Sequence, residues 1–328
     1  MGIPSANRDP AGPLSAAVGS LLAGLTTEER QQIYLMVFLP HTDPSTHPAY
    51  TQPWLNGLAD EVQKYEFGPD RLQFIRNMEQ SGGHFEEKRI FDYSYLLSKC
   101  ADTCVPYVAI IEEDTLAIDG WYHRTKAALR EAGKQVALHH ARTDFLYVRL
   151  FYTQYLLGWN AADWPTYLWN SIFVSGFCTA FFFTLRIYRP RSKLTSLRAF
   201  ILLYPTLAIL KLFFFALGRN TVNPIYAGVH AMPNIGCCNQ ALVYPNHKIC
   251  ELVAYLRDRR VGDLHDVLED YANESGELRY AVTPSLVQHV EREGAKGGAG
   301  KVWSAAFERY DAATLKGEHK IWIDKQSM

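Results

Sequence analysis

Two long apolar runs separated by a short basic connector constrain this chain more than any other feature. Residues 166–185 (TYLWNSIFVSGFCTAFFFTL) are twenty consecutive positions without a charge. As a helix they would extend about 30 Å, the thickness of a bilayer's hydrocarbon core. A second run of twenty, residues 199–218, is broken only by Lys211, close enough to one end for its ammonium to snorkel. Between them lies Arg186-Ile-Tyr-Arg189-Pro190-Arg191-Ser-Lys193, with Arg198 just beyond, and nine of the 17 phenylalanines fall within 166–218. Two buried core helices are the competing explanation. Core runs of that kind span about 10–14 residues, so the lengths favour a transmembrane hairpin over 164–218.

The charge distribution agrees. No Asp or Glu occurs from Trp164 to Cys250, whereas Arg186, Arg189, Arg191, Lys193, Arg198, Lys211, Arg219 and Lys248 all do. Lys plus Arg (33) and Asp plus Glu (34) nearly cancel over the 328 residues, which gives no sign of a nucleic-acid partner. With 48% apolar and 20% charged residues the chain is neither a disordered tail nor a coiled coil. The positive-inside bias places the connector in the cytosol and both flanks together on the other side. Asn273-Glu-Ser275 then becomes a usable glycosylation acceptor. The run Ser15–Leu25 is too short to span and lacks a basic leader, so targeting is expected from the hairpin itself or from an upstream anchor. Six cysteines (100, 104, 178, 237, 238 and 250) show no zinc spacing, and disulfides among 237, 238 and 250 or between 100 and 104 stand beside free thiols as equal alternatives.

The flanks read as an α/β domain. Residues 1–29, rich in Gly, Pro, Ser and Ala, are expected to be a flexible lead-in. Ile33–Leu39, Tyr107–Ile111 and Phe145–Phe151 have the continuous apolar character of buried strands. Helical patterns cover about 51–65, 86–101, 119–131 (capped by Asp119) and 248–260, and another helix starts near Asp263. Residues 219–247 read as irregular. Alternation of strands and helices implies a mainly parallel sheet flanked by helices. Because the hairpin interrupts that pattern, residues 30–163 and 219–328 are expected to share one split domain.

The strand Tyr107–Ile111 runs directly into Glu112-Glu113-Asp114. Three adjacent carboxylates at the end of a buried strand repel one another and favour a cation beside them. Crevices at strand carboxyl ends are also where open α/β sheets bind ligands. A divalent metal bridging a diphosphate fits such a cluster, as does a solvated turn that starts a helix.

Phe91-Asp92-Tyr93-Ser-Tyr95-Leu-Leu, Val105-Pro-Tyr-Val-Ala-Ile-Ile-Glu112-Glu113-Asp114, Gly236-Cys-Cys-Asn-Gln-Ala-Leu-Val-Tyr-Pro245 and Pro284-Ser-Leu-Val-Gln-His289 together resemble a family of Golgi enzymes. Its members add a side-chain N-acetylgalactosamine to glycosylphosphatidylinositol (GPI) anchors. The likeness covers most of residues 30–290 and includes a glycosyltransferase domain of the GT-A type interrupted by a tandem transmembrane hairpin. The family pattern is Glu-Asp-Asp where this chain has Glu112-Glu113-Asp114, and the family's N-terminal anchor is expected either to lie upstream of these residues or to be lost by lineage. The resemblance implies a UDP-sugar donor, Mn2+ (or Mg2+), a GPI-glycan acceptor and a lumenal catalytic domain in the Golgi membrane. It implies Asp114 as direct metal ligand with Glu112 in support, Glu113 near metal or sugar, and His289 as the late histidine that completes such sites.

It also points to His41 and Thr42 after the first strand as nucleotide-binding, to Lys88 and Arg89 beside the diphosphate, and to Gly236 for close backbone approach to the sugar. For His41, Thr42 and Gly236 an ordinary loop or turn position is equally sensible, and for Lys88 and Arg89 a solvated helix position is the stronger reading. Trp121, Trp159 and Trp164 are candidates for stacking on a sugar, although for the latter two, just before the hairpin, anchoring at the bilayer surface is the better reading. The catalytic base is expected in Val261-Gly262-Asp263-Leu264-His265-Asp266. Asp263 is the first candidate and Asp266, three positions on, the second, while a simple helix cap is the plain alternative for Asp263. The reading is therefore a metal-dependent glycosyltransferase. Its competitor is a non-enzymatic hairpin membrane protein with a lumenal partner-binding domain.

Overall fold

The computed structural model of the chain describes residues 1–6, 12–80, 84–138, 144–151, 159, 163–190, 192, 196–218, 222, 226–232, 239–289 and 312–326. It divides into two compact units, Met1–Thr153 with Ala227–Met328, and Gln154–Tyr226.

The larger unit is built on an eight-stranded sheet. Its strands are β1 (Gly2–Pro4), β2 (Met36–Phe38), β3 (Glu61–Gln63), β4 (Tyr107–Ile111), β6 (Phe145–Arg149), β7 (Gly228–Ala231), β8 (Ala241–Pro245) and β9 (Leu278–Thr283), in the order β3-β2-β1-β4-β8-β6-β9-β7. β1 to β4 are mutually parallel, as are β6 and β9, whereas β8 runs antiparallel to both neighbours and β7 to β9. A separate two-stranded ribbon pairs β5 (Thr115–Ala117) with β10 (Val287–His289).

Side chains alternate across the sheet and feed two cores. Val37, Ile111 and Val243 pack on one face with α1 (Leu14–Leu22) and α6 (Trp121–Leu138). Met36, Phe38, Val108, Ile110, Leu242 and Tyr244 pack on the other with α4 (Pro69–Gln80), α5 (Phe85–Asp102), α9 (Asn246–Arg259) and α10 (Leu264–Glu274). Burial on both faces is why these strands are continuously apolar in sequence.

Several expectations are corrected. The supposed lead-in supplies β1, which lies between β2 and β4 with Ile3 fully buried, and α1, whose Leu14, Ala17, Val18 and Leu21 are buried. A Cβ on Gly2 would lie 2.8 Å from Cys100 Sγ and 3.0 Å from Leu96 Cδ1, so the glycine lets α5 settle onto β1. The helix expected over 51–65 is short, α3 (Pro53–Leu58), and residues 61–63 form β3. The stretch 219–247 is not wholly irregular, because it holds β7 and β8. Asp119 does not cap α6; it accepts from a histidine on the late helix α11 (Ala312–Gln326). Cys100 and Cys104 are free thiols, and Cys237 and Cys238 lie outside the described residues.

The smaller unit consists of α7 (Trp164–Tyr188) and α8 (Leu197–Ala216), both long and apolar enough to cross a membrane. Only 6% and 0% of their most apolar windows are buried, unlike core helices of a soluble domain. The helices meet through Phe182 and Phe200, ring centroids 5.3 Å apart, and through Lys211, whose Nζ donates to Ser171 O (2.8 Å) and Ser175 Oγ (2.6 Å). The lysine charge is therefore met by α7 rather than snorkelling outward. Trp159 Nε1 donates to Phe215 O at 2.9 Å.

Candidate active site

Chain order β1-β2-β3 fills one side of β1 before β4 joins on the other, so the sheet's direction of growth reverses at β1/β4. Ligands of open α/β sheets bind outside the carboxyl ends at such a point. A cleft of about 460 Å³ opens there, lined by residues at the ends of three parallel strands: Pro4 closing β1 and Ala6 after it, Pro40 and His41 after β2, and the acids Glu112, Glu113 and Asp114 after β4. Glu79 of α4 and Phe85, Lys88, Arg89 and Asp92 of α5 form its wall, with Leu264 at the start of α10.

The three acids part company. Glu112 pairs with Arg89 Nη2 at 2.9 Å. Burial still pushes its carboxyl above the usual range, and neighbouring Asp114 adds to that. Glu113 accepts from Ser5 Oγ, which in turn lies 2.9 Å from His47 Nε2. His47 Nδ1 accepts from the Ala49 N–H at 3.1 Å, which leaves the ring proton on Nε2 and makes a directed chain from His47 through Ser5 to Glu113. Asp114 Oδ2 lies 3.0 Å from His289 Nε2. Asp114 Oδ1 is buried with no hydrogen-bond partner among the described residues.

That unpartnered oxygen is the test of fit for a metal. A buried carboxylate oxygen without a donor costs about 1–3 kcal/mol or more, and a divalent cation would satisfy it. Carboxylate oxygen plus imidazole nitrogen is a sound donor pair for such an ion. Asp114 and His289 are both partly exposed, so a ligand can reach them.

Lys88 is committed elsewhere. Its Nζ donates to Pro40 O (2.8 Å), Tyr65 OH (2.9 Å) and Asp92 Oδ2 (2.7 Å). Tyr65 OH also donates to Asp92. Burial pushes the Asp92 carboxyl up to about 6 despite the adjacent ammonium. Thr42 is bound through its N–H and hydroxyl to Glu79, at 3.0 and 2.7 Å.

The structure thus brings His41, Lys88, Glu112, Glu113 and Asp114 into one cleft and sets His289 against Asp114. Thr42 reaches the wall only through Glu79. Asp263 caps α10, its Oδ1 accepting from His265 N–H at 2.8 Å, and directly precedes the cleft residue Leu264; Asp266 is exposed in the first turn. Gly236 lies outside the described residues. Trp121 is buried and donates to Leu21 O, so it stacks on no sugar. Ser5, His47 and Glu79 were not singled out in the sequence. The apolar Ile3 beside Gly2 was the available signal for a first strand, and hence for Ser5.

Residues 9–288 match the family model described as GPI-N-acetylgalactosamine transferase PGAP4. No curated protein matches the chain significantly.

Proposed function

Because the chain belongs to the PGAP4 family of GPI-N-acetylgalactosamine transferases, and is therefore a glycosyltransferase, we propose that it moves N-acetylgalactosamine from a UDP-linked donor to the glycan of a GPI anchor. Mn2+ or Mg2+ would be held by Asp114 and His289. The observation that carries this reading is the buried Oδ1 of Asp114, without a partner among the described residues, beside His289 at the carboxyl end of β4. When bound, the cation supplies positive charge to the donor diphosphate and to the departing UDP.

The chain's own residues do the rest. The Ser5–His47 chain holds Glu113 in place and Arg89 holds Glu112, while Asp114 keeps one oxygen without a partner among the described residues. Lys88 ties the strand-end carbonyl of Pro40 to α5 and so fixes the cleft wall. The acceptor hydroxyl attacks the anomeric carbon, the bond from that carbon to UDP breaks with its electron pair leaving on UDP, and Asp263 takes the hydroxyl proton. Its position next to Leu264 at the cleft supports Asp263 for this role.

In this reading α7 and α8 cross the Golgi membrane, the basic connector is cytosolic and the sheet unit is lumenal. Such anchoring raises the effective concentration of a lipid-linked acceptor at the cleft. The test is a thermal-shift and transfer experiment on detergent-solubilised protein. UDP with Mn2+ should raise Tm, and UDP-N-acetylgalactosamine should be consumed only when a GPI glycan is present. Absence of both effects would overturn the reading.

A further inference from the structure

A second cluster of metal-binding groups lies in the larger unit, on residues that take no part in the cleft. Glu29 belongs to α2 (Thr27–Gln31), His123 to α6 and His319 to α11. All three are buried, with exposures of 3%, 8% and 5%. One ligand atom from each lies within 4.8 Å of the others.

The hydrogen-bonding pattern is what makes the cluster unusual. His319 Nδ1 lies 3.1 Å from Asp119 Oδ1, and its Nε2 lies 3.2 and 3.4 Å from the two oxygens of Glu29. A neutral imidazole has a single N–H. If that proton faces Asp119, the Nε2 lone pair points at a carboxylate and needs a cation between them. A histidine that donates from one nitrogen to a carboxylate while presenting the other is the usual arrangement of a metal-ligating imidazole. Glu29 is itself fixed by a capping box, Oε2 accepting from Thr26 N–H (2.9 Å) and its own N–H donating to Thr26 Oγ1 (3.1 Å).

His123 supplies the independent observation. Its Nδ1 is buried and has no hydrogen-bond partner among the described residues. Trp322 covers it, ring centroids 4.9 Å apart. An ion pair between protonated His319 and its two carboxylates would leave this nitrogen unused.

The backbone is shaped around the same groups. Gly120 has φ +74°, and a Cβ there would lie 2.5 Å from His123 Cε1 and 3.0 Å from its Nδ1. Gly24 has φ +77°, and a Cβ there would lie 2.9 Å from Asp119 Oδ1. Ligands about 2.0–2.1 Å from a tetrahedral ion stand roughly 3.3 Å from one another, which matches the 3.2 and 3.4 Å between His319 and Glu29.

We propose that Glu29, His123 and His319 bind a divalent cation of the zinc class, with Asp119 orienting His319, and that this ion clasps α11 onto α2 and α6. The site is structural and separate from Asp114.

The test uses the full-length chain in detergent, loaded with Zn2+, freed of loose metal by gel filtration and analysed by elemental mass spectrometry. A double variant, Asp114→Asn with His289→Ala, removes the cleft ligands. It should retain one zinc per chain, and Co2+ in its place should give the intense visible absorption of a tetrahedral site. Adding His123→Gln or His319→Gln should abolish both signals while far-UV circular dichroism stays unchanged. A folded double variant that retains no zinc would reduce the cluster to an ion pair and overturn the proposal. So would zinc retained at one equivalent in both histidine variants.

Discussion

His289 Nε2 lies 3.0 Å from Asp114 Oδ2, although 175 positions separate them in the chain. The contact is fixed by strand register: β10 pairs antiparallel with β5 so that His289 stands opposite Thr115, the residue after Asp114. Any ligand bound by both therefore links the end of β4 to the chain's late segment. Asp114→Asn should abolish the Mn2+-dependent part of UDP binding. His289→Ala should raise the Mn2+ concentration needed by about tenfold or more, equivalent to some 1.4 kcal/mol of lost ligation. Isothermal titration with UDP across a Mn2+ series measures both. Unchanged Mn2+ dependence in Asp114→Asn would remove the residue from the site.

Asp92 makes an opposite and separable prediction about pH. Its carboxyl is pushed up to about 6 by burial, with the Lys88 ion pair pulling the other way. The folded state thus holds its proton more tightly than the unfolded state, where the ordinary value is near 3.8. The contribution is complete below pH 3.8 and is lost as pH rises through 6, reaching about 3 kcal/mol at most. Most carboxylates behave the other way, stabilising as pH rises. Urea midpoints at half-unit steps from pH 4 to 7 should show a falling component in wild type that Asp92→Asn removes. Parallel pH profiles for the two proteins would refute the assignment.

How much of this was legible depended on whether the cause was local. α5 is eighteen residues long with a helical period, and β4 is a continuous apolar run, so local pattern sufficed for both, and the acids at the end of β4 followed. β1 is three residues with a glycine and a proline, and composition alone makes it a lead-in. Its place in the sheet rests on pairing with β2 and β4, which no window of sequence contains. Ser5 and His47 escaped for the same reason: they matter through Glu113, which is 108 positions from Ser5. β3 was absorbed into a helical pattern because Glu61–Gln63 is an edge strand too short to show alternation. The apolar pair α7 and α8 stood out because length and absence of charge are properties of the segments themselves.

The proposed topology can be checked without any activity assay. An epitope inserted between Arg191 and Lys193 should be stained after selective permeabilisation of the plasma membrane. Asn273 is exposed near the end of α10, its Oδ1 accepting from Arg279 at 2.9 Å; in a lumenal unit it is open to glycosylation, and Asn273→Gln should then increase gel mobility by one glycan. A protected epitope with a stained sheet unit would invert the orientation.

Asp263 carries the most specific expectation. It is the N-cap of α10, and its Oδ1 accepts from His265 N–H at 2.8 Å while the next residue, Leu264, lines the cleft. Cap and base place different demands on the side chain. A cap needs only an accepting oxygen, which Asn provides with little loss; a base needs an ionised carboxylate. Asp263→Asn should therefore leave Tm and Mn2+-dependent UDP affinity near wild type, whereas transfer should fall by about a hundredfold or more, as expected for a lost general base. Asp266, exposed one turn on, serves as the comparison. If Asp263→Asn turns over normally and Asp266→Asn loses transfer with UDP affinity intact, the base is Asp266. If both variants turn over normally, the proton leaves by another group and neither acid is catalytic.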